Sequence, residues 1–454
     1  MSLKYDINKL SNEQIEKINI DLLIKLENNK YAAGAPTKYI YSYLILNDDV
    51  YLPFNYATTV LNLKRTHRSE YSTMNAKFIG ILRDEQKIVK DEAISILNKT
   101  GSIIISAYTG FGKTLSSINL ACTIKLKTLI IVNKIVLITQ WEESILKFCP
   151  SASVQKLTSK SVMKDCDFYI MNAINIEKMG KTFFKDMGLI IVDESHLIMA
   201  ETLSKSLQYL NPRYLIGLSA TPYRLDGLDI LLELYFGKNK IVREMNRKHI
   251  VYQVNTGFEP TFDFSENGKV IWGSILKSQS EDEKRNELIV NIIRSFSDRN
   301  FLVLTKRVEQ GKLIFDKLEE LGENVTSLIG KQQTFNKESR ILVGTTSKCA
   351  TGFDHSKLDA MILCSDIQDY YIQALGRIFR VKDSVPIVFD LVDKNPILLK
   401  HYKTRKQVYE EHGGIIKNFN KLYPQFFVEK ALDSESSKIE LEEKPQKRLL
   451  ISKK

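Results

Sequence analysis

One glycine-rich segment, Ala107 to Thr114 (AYTGFGKT), has the residue types and spacing to cradle a chain of phosphates. Its glycines let backbone N–H groups approach phosphate oxygens, and a helix beginning there adds partial positive charge. The ammonium of Lys113 would reach the β- and γ-phosphates, and the hydroxyl of Thr114 would hold Mg²⁺. The alternative is a glycine-rich turn before a core helix. The predicted ATP-binding loop consists of Thr109, Gly110, Gly112, Lys113 and Thr114.

Two adjacent carboxylates end a second apolar run, in the segment Gly188 to His196 (GLIIVDESH). At the end of a strand, Asp193 could coordinate Mg²⁺ directly or through water, and Glu194 could orient and activate the attacking water. The alternative is a polar strand end that caps the next helix. Because the pair follows a phosphate loop in the same chain, the sequence favours an ATPase site.

A third segment, Gln373 to Arg380 (QALGRIFR), carries two arginines. On a helix, Gln373, Gly376, Arg377 and Arg380 fall on one face, at i, i+3, i+4 and i+7. Planar guanidinium groups make charge-assisted hydrogen bonds to phosphate oxygens and would stabilise the charge on a transferring phosphoryl group. The alternative is a solvated face of an ordinary helix.

The elements that must position these residues follow from hydrophobic patterning. From about Phe78, short apolar runs alternate with amphipathic stretches, a pattern typical of parallel strands covered by helices. The first series of predicted strands lies at 101–108, 128–133, 167–172, 188–195 and 214–221, and the second at 301–305, 325–330, 340–346, 360–365 and 385–392. Between them we expect a connector with weak strands, Val251 to Gly273, and a helix, Ser280 to Ser297.

The pattern divides the chain into four parts. Residues 1–77 carry short β-prone runs at Tyr39–Leu46 and Val50–Phe54 and are predicted to form a separate small accessory domain. Residues 78–250 and 251–430 are predicted to form two α/β domains. Residues 431–454 alternate Lys and Glu with few apolar side chains, which predicts a disordered tail.

Composition narrows the class of protein. The 454 residues are 43% hydrophobic and 26% charged, as in an ordinary globular protein, and the net charge of +11 suits a polyanionic partner, although a lysine-rich coding bias would give the same excess. The five cysteines show no metal-knuckle spacing, which indicates buried free thiols in a reducing compartment. No signal core and no membrane-length apolar run is present, so we expect a soluble protein of the cytoplasm or nucleus with no membrane partner.

A further segment, Gly217 to Arg224 (GLSATPYR), makes the family resemblance clear. Together with the phosphate loop and the acidic pair, it resembles motifs I, II and III of superfamily 2 helicases. Asp193 to His196 resembles the DExH box. The resemblance implies two tandem RecA-like domains that use ATP and Mg²⁺. It also implies that Ser219 and Thr221 couple the state of the nucleotide to the grip on nucleic acid.

Other segments follow in the order that the resemblance implies. In the first domain, Leu82 to Gln86 is similar to the glutamine motif, where Gln86 would contact adenine. Val132 to Trp141 is similar to motif Ia, where Gln140 would touch the nucleic-acid backbone; for Trp141 itself, a buried packing role is the open alternative. Asn172 stands where the family usually has a threonine that contacts the strand.

In the second domain, Phe301 to Arg307 resembles motif IV, Ile341 to Asp354 resembles motif V and Gln373 to Arg380 resembles motif VI. The resemblance assigns Thr345 and Gln373 to nucleic-acid contact or coupling. It places Gly352 and Asp354 near the nucleotide. With Lys113, Asp193 and Glu194, it makes Arg377 and Arg380 the catalytic set.

The resemblance covers about residues 78 to 425. Within superfamily 2, this segment is most similar to DNA-repair and restriction-type helicases and to the transcript-release helicases of large cytoplasmic DNA viruses. It implies a monomeric, ATP-driven motor on DNA, with RNA polymerase or other transcription factors as partners. If viral, the protein would work in host cytoplasm and could enter the virion. Three alternatives stay open: an RNA-dependent DExH ATPase, a non-catalytic scaffold with a degenerate motor fold, and a restriction subunit that needs a partner to cut.

Overall fold

The first α/β domain is a seven-stranded, wholly parallel sheet with helices on both faces. The computed structural model describes residues 1–25, 39–179, 183–198, 207–220, 229–266, 268, 270–332, 334–349, 355–368, 371–381 and 384–427. The N-terminal elements are β1 (Ser2–Asp6), α1 (Asn12–Asp21), β2 (Leu23–Lys25), β3 (Tyr39–Tyr41), β4 (Leu44–Leu46) and β5 (Asp49–Pro53). The first domain then contains α2 (Asp84–Thr100), β6 (Ser102–Ala107), α3 (Lys113–Ile124), β7 (Thr128–Val132), α4 (Ile135–Phe148), β8 (Val154–Leu157), β9 (Phe168–Asn172), β10 (Leu189–Val192), α5 (Ser195–Ile198), β11 (Tyr214–Ser219), α6 (Asp229–Phe236) and β12 (Lys240–Arg243).

The strand order of the first sheet is β12-β6-β11-β10-β7-β9-β8. Every residue of β6, β7, β10 and β11 is buried, as expected for strands covered on both faces. Side chains alternate between two cores: Ile104 and Ile190 belong to one, and Ile103 and Ile191 to the other. The order places β6, β11 and β10 side by side, so the segments that follow them meet at one edge of the sheet.

The N-terminal elements, predicted to form a separate accessory domain, share a hydrophobic core with the first α/β domain. Strands β1, β5 and β4 form a three-stranded antiparallel sheet, and β2 pairs with β3. Leu3, Leu52 and Phe54 are in the same hydrophobic cluster as Ile104 and Leu215 of the large sheet. Backbone hydrogen bonding continues across the boundary, since the N–H of Ser2 donates to Leu210 O at 2.6 Å.

The second α/β domain is another seven-stranded parallel sheet, in the order β15-β16-β14-β17-β18-β13-β19. Its elements are β13 (His249–Asn255), α7 (Trp272–Glu281), α8 (Glu283–Ser295), β14 (Phe301–Thr305), α9 (Val308–Glu320), β15 (Val325–Leu328), β16 (Ile341–Thr345), α10 (Thr346–Cys349), β17 (Ala360–Leu363), α11 (Tyr371–Ile378), β18 (Ile387–Val392), α12 (Pro396–Glu411), β19 (Gly414–Asn418) and α13 (Phe419–Leu422). Two hydrophobic clusters again cover the two faces. The two sheets confirm the predicted tandem RecA-like architecture.

The connector prediction for residues 251–273 is wrong at its start. Strand β13 pairs with β18 on one side and β19 on the other, and is an interior strand of the second sheet. Its polar residue Gln253 accepts a hydrogen bond from the Tyr402 hydroxyl at 2.9 Å, so a half-polar strand is accommodated in the sheet. Strands β8, β12 and β19 are also present without having been predicted.

Within the described ranges, no helix is both long enough and apolar enough to cross a bilayer. The five cysteines are free thiols, four of them buried, in agreement with the prediction. The predicted disordered tail, residues 431–454, lies outside the described residues.

Candidate active site between the two domains

The phosphate loop has the backbone that its glycines were expected to allow. Gly110 and Gly112 have φ values of +94° and +90°, in the left-handed region that favours glycine, and α3 begins at Lys113. The Lys113 ammonium donates to Ala107 O at 2.6 Å, which folds the side chain back over the loop. Burial lowers the pKa of Lys113, while the nearby charges of Glu194 and Asp193 oppose that shift.

The acidic pair follows β10, which lies between β7 and β11. Asp193 Oδ2 accepts a hydrogen bond from Trp141 Nε1 at 2.8 Å, and Oδ1 accepts one from the Glu194 backbone N–H at 3.0 Å. Burial, reinforced by the charge of Glu194, raises the pKa of Asp193 to about 6. Burial also raises the pKa of Glu194, with Lys113 and Arg377 acting in the opposite direction.

Glu194 has an unusual backbone. Its φ of +48° is in the left-handed region, which costs an L-residue with a Cβ about 1 kcal/mol. Such outliers persist where the surrounding structure holds them, and they concentrate at functional sites. Here the distortion sits on the carboxylate predicted to activate water.

A short chain of polar contacts leads from this carboxylate to β11. His196 Nδ1 lies 3.5 Å from Glu194 Oε2 and 2.8 Å from the Ser219 hydroxyl. Both Ser219 and His196 are buried. The structure thus brings Ser219, one of the two predicted coupling residues, into contact with His196 of the DExH segment. The other predicted coupling residue, Thr221, lies outside the described residues.

The arginine-bearing helix α11 comes from the second domain and rests against the phosphate loop. A Cβ built on Gly376 would lie 2.6 Å from Thr109 Cβ and 3.0 Å from Thr109 O, so only glycine permits this approach. Arg377 is buried and its Nε donates to Cys349 O at 3.2 Å. Burial lowers the pKa of Arg377 to about 10 and also lowers that of Arg380.

These groups line one cleft of about 1040 Å³ between the domains. The predicted site residues that line it are Thr109, Gly110, Gly112, Lys113, Thr114, Gln140, Asp193, Glu194, Gln373, Arg377 and Arg380. A direct bridge also crosses the cleft, because Lys134 Nζ donates to Ser347 O of the second domain at 3.3 Å. The cleft is therefore built from both domains.

Other predicted residues have different surroundings. Gln86 is buried under the loop, where its Nε2 donates to Phe111 O at 2.7 Å. Asn172 caps a turn by accepting from the Ile174 N–H at 3.1 Å, and Thr345 is buried with its hydroxyl 3.4 Å from that of Ser347. Gly352 and Asp354 lie outside the described residues.

Sequence reasoning missed three side chains that support the site. Arg83 donates from Nη2 to Gly110 O at 3.2 Å and to Phe111 O, and so braces the phosphate loop. Arg247, in the link between the sheets, donates to the carbonyls of Phe379 and Val381 just after α11. The third, Trp141, contacts Asp193. Arg83 lies within Leu82 to Gln86, the segment similar to the glutamine motif, although only Gln86 was given a role there. No local motif signals the role of Arg247, and for Trp141 the signal was its position beside Gln140.

The oxygen ligands in the cleft suit a magnesium ion. Asp193 and Thr114 both line it and present a carboxylate and a hydroxyl, the hard oxygen donors that Mg²⁺ prefers. No cluster of three or more metal-binding side chains occurs within the described part of the chain. A magnesium ion would therefore be bound by a few protein oxygens together with substrate phosphates, as is usual for this cation at nucleotide sites.

Comparisons with known proteins agree with this geometry. A family model described as "Type III restriction enzyme, res subunit" matches residues 79–224. The protein named "Putative helicase 161L" of Invertebrate iridescent virus 6 is 45% identical over 446 residues, covering 92% of this chain and 100% of that protein. Transcript termination protein A18 of Yaba-like disease virus is 25% identical over 346 residues, 65% of this chain and 69% of that protein.

Among solved structures, S. cerevisiae Dbp5 bound to RNA and ADP BeF3 superposes with a TM-score of 0.52. The match covers 75% of this chain and 91% of that chain at 14% sequence identity. At that identity the likeness concerns the fold, and it agrees with two tandem RecA-like domains.

Proposed function

The chain belongs to the superfamily 2 helicases of large DNA viruses and is a nucleic-acid-dependent ATPase; from this premise we propose that it moves along or unwinds DNA. One observation carries the proposal: Lys113, Asp193 and Glu194 of the first domain line the same cleft as Arg377 and Arg380 of the second. Hydrolysis at such a site depends on how the two domains meet, which is what a motor requires.

In the proposed mechanism, Lys113 leaves Ala107 O and binds the β- and γ-phosphates of ATP. Asp193 and Thr114 would hold Mg²⁺, which supplies charge neutralisation on the phosphates when bound. Glu194 orients the attacking water and accepts its proton, a task suited to a carboxylate whose pKa is raised. Arg377 and Arg380 donate to the transferring phosphoryl group from the second domain.

The same contacts would couple hydrolysis to movement. Helix α11 touches the phosphate loop at Gly376 and Thr109. Because Arg377 and Arg380 would bind the γ-phosphate from the second domain, its loss would weaken the attraction between the two domains. The link from Glu194 through His196 to Ser219 passes the change to β11. Nucleic acid lying across both domains would then be held by different affinities in the closed and open states.

We propose DNA as the track and transcript release as the role. Support for DNA comes from the match to the restriction-enzyme res subunit model and from the sequence resemblance to repair helicases. Support for transcript release comes from the transcript termination protein A18 of Yaba-like disease virus. The net charge of +11 suits any nucleic-acid track.

The catalytic assignment is tested with four purified variants. Lys113→Ala should lose ATP binding and turnover, and Glu194→Gln should bind ATP without turning it over. Arg377→Ala should bind ATP and lose about 10³-fold or more in hydrolysis. Lys312→Ala, at an exposed position of α9, is the matched control and should behave as wild type. Undiminished turnover in Lys113→Ala or Glu194→Gln would contradict the assignment.

The choice of track is tested separately by measuring ATPase activity with single-stranded DNA, duplex DNA and RNA in parallel. Stronger stimulation by DNA is expected. Equal or greater stimulation by RNA would replace the DNA proposal with an RNA-dependent ATPase. A displacement assay on a stalled transcription complex then tests transcript release, for which Glu194→Gln is the inactive control.

A further inference from the structure

Trp141 makes a contact with the acidic pair that its packing alone does not require. It lies in the middle of α4, is 2% exposed, and directs its single polar atom at Asp193 Oδ2, 2.8 Å away. An indole N–H can only donate, and a hydrogen bond to a carboxylate is charge-assisted. The other oxygen, Oδ1, accepts from the Glu194 backbone N–H. Both oxygens of Asp193 are therefore oriented by fixed donors.

The helix that carries this tryptophan also reaches the second domain. Lys134, at the N-terminal cap of α4, donates to Ser347 O across the cleft. Gln140, the residue next to Trp141, lines the cleft and was predicted to touch nucleic acid. A shift of α4 caused by either contact would carry the indole with it. The Asp193 carboxylate would then lose or gain its outer hydrogen bond.

We propose that Trp141 is a positioning residue that holds the Asp193 carboxylate ready for the divalent cation of ATP, and that α4 links this carboxylate to the opposite domain and to the track. The inference rests on the role proposed above for Asp193. Outer hydrogen-bond donors commonly orient carboxylates that bind metals, and their removal costs about 10- to 100-fold in metal affinity or activity.

The alternative role for Trp141 is packing alone, as a large side chain that fills the core. Trp141 does belong to the hydrophobic cluster on one face of the first sheet, so packing accounts for its burial. Packing does not account for the hydrogen bond that Nε1 donates to Asp193 Oδ2. The variant Trp141→Phe separates the two roles, because phenylalanine keeps an aromatic ring in the core and removes the donor.

A kinetic experiment gives the first readout. In Trp141→Phe the Mg²⁺ concentration for half-maximal ATPase activity should rise about 10-fold or more, with the KM for ATP at saturating Mg²⁺ little changed. The matched control is Trp272→Phe, at the other tryptophan of the chain. Trp272 is half-buried in α7 and packs edge-on against His401, with their ring centroids 5.3 Å apart. The control should keep the wild-type Mg²⁺ dependence. Wild-type Mg²⁺ dependence in Trp141→Phe would overturn the proposal.

A spectroscopic experiment needs no catalysis and keeps the native residue at position 141. The chain has two tryptophans, so the Trp272→Phe protein has Trp141 as its sole tryptophan. Titrating Mg²⁺ in the presence of ADP should change the emission of Trp141, and the change should vanish in Trp272→Phe/Asp193→Ala. No change on titration, or the same change without Asp193, would refute the proposal even if Trp141→Phe failed to fold.

Asp193→Asn distinguishes a failure of the proposed catalytic site from a failure of the role of Trp141. If Asp193→Asn retains full ATPase activity, the proposed catalytic site is wrong. If Asp193→Asn is inactive while Trp141→Phe responds to Mg²⁺ as wild type does, the site stands and the role of Trp141 falls.

Discussion

Replacing Gly376 by alanine would place a methyl group in a close contact between the two domains. The new Cβ would lie 2.6 Å from Thr109 Cβ and 3.0 Å from Thr109 O. Carbon atoms in ordinary contact are about 3.5–4.0 Å apart, so α11 would have to retreat by about 1 Å. Because Gly376 is inside a helix and has no left-handed φ, alanine should favour the helix itself.

A retreat of that size moves Arg377 and Arg380 away from the phosphates. Misplacement of catalytic groups by about 1 Å costs about 10²-fold in rate, or about 2.7 kcal/mol of transition-state stabilisation. We therefore expect Gly376→Ala to lower kcat about 100-fold. The affinity for ATP should stay near wild type, because the proposed mechanism assigns ATP binding mainly to the phosphate loop of the first domain.

The assay is steady-state ATP hydrolysis with saturating nucleic acid, paired with equilibrium binding of a fluorescent ATP analogue. Gly273→Ala is the matched control, because it is also a helical glycine of the second domain and its Cβ would meet nothing within 4 Å. A Gly376→Ala protein with wild-type kcat would refute the view that this contact sets the position of the arginines. Equal losses in both glycine variants would refute it as well.

Three other variants or conditions test a contact behind α11, a buried ion pair of the second domain and the charge of the protein. Arg247→Ala removes donors to the carbonyls after α11 and should lower single-turnover hydrolysis about tenfold with ATP binding intact. Its control is Arg294→Ala, at an exposed position of α8, which should keep the wild-type rate. In the second domain, Asp390 accepts two hydrogen bonds of 2.8 Å from the buried Arg405. Asp390→Asn breaks this ion pair and should lower the free energy of unfolding by about 3–5 kcal/mol in thermal or urea melts. The control is Asp298→Asn, at an exposed position, which should leave the free energy of unfolding near wild type. The logarithm of the association constant for nucleic acid should fall linearly as the logarithm of the salt concentration rises. An association constant that does not change with salt would argue against phosphate contacts as the source of binding.

The parallel strands were predictable because their signal is local. Runs such as residues 129–132 and 189–192 are apolar throughout, and that pattern has one common structural solution. The site followed from the strands, since the carboxyl ends of parallel strands gather at one edge. Strand β13 escaped prediction because its tyrosine and glutamine need partners, such as Tyr402, that lie far away in the chain.

Contacts between distant elements were the other limit. The sequence places Trp141 beside a predicted nucleic-acid contact, but the hydrogen bond to Asp193 spans 52 positions and depends on how α4 packs. The approach of Gly376 to Thr109 likewise exists only when two domains meet. The same reason explains why residues 1–77 were predicted to be separate: their strands are short, and the surface that completes their core is formed by strands much later in the chain.

That shared core has a consequence for biosynthesis. Lys4 donates its backbone N–H to Asn211, a residue 207 positions later. At about 5–20 residues per second, a ribosome needs roughly 10–40 s to make the intervening chain. During that interval the apolar side chains of β1 and β5 have left the ribosome without the sheet that will cover them. We therefore expect the nascent chain to bind a chaperone, or the whole first domain to fold in a slow phase.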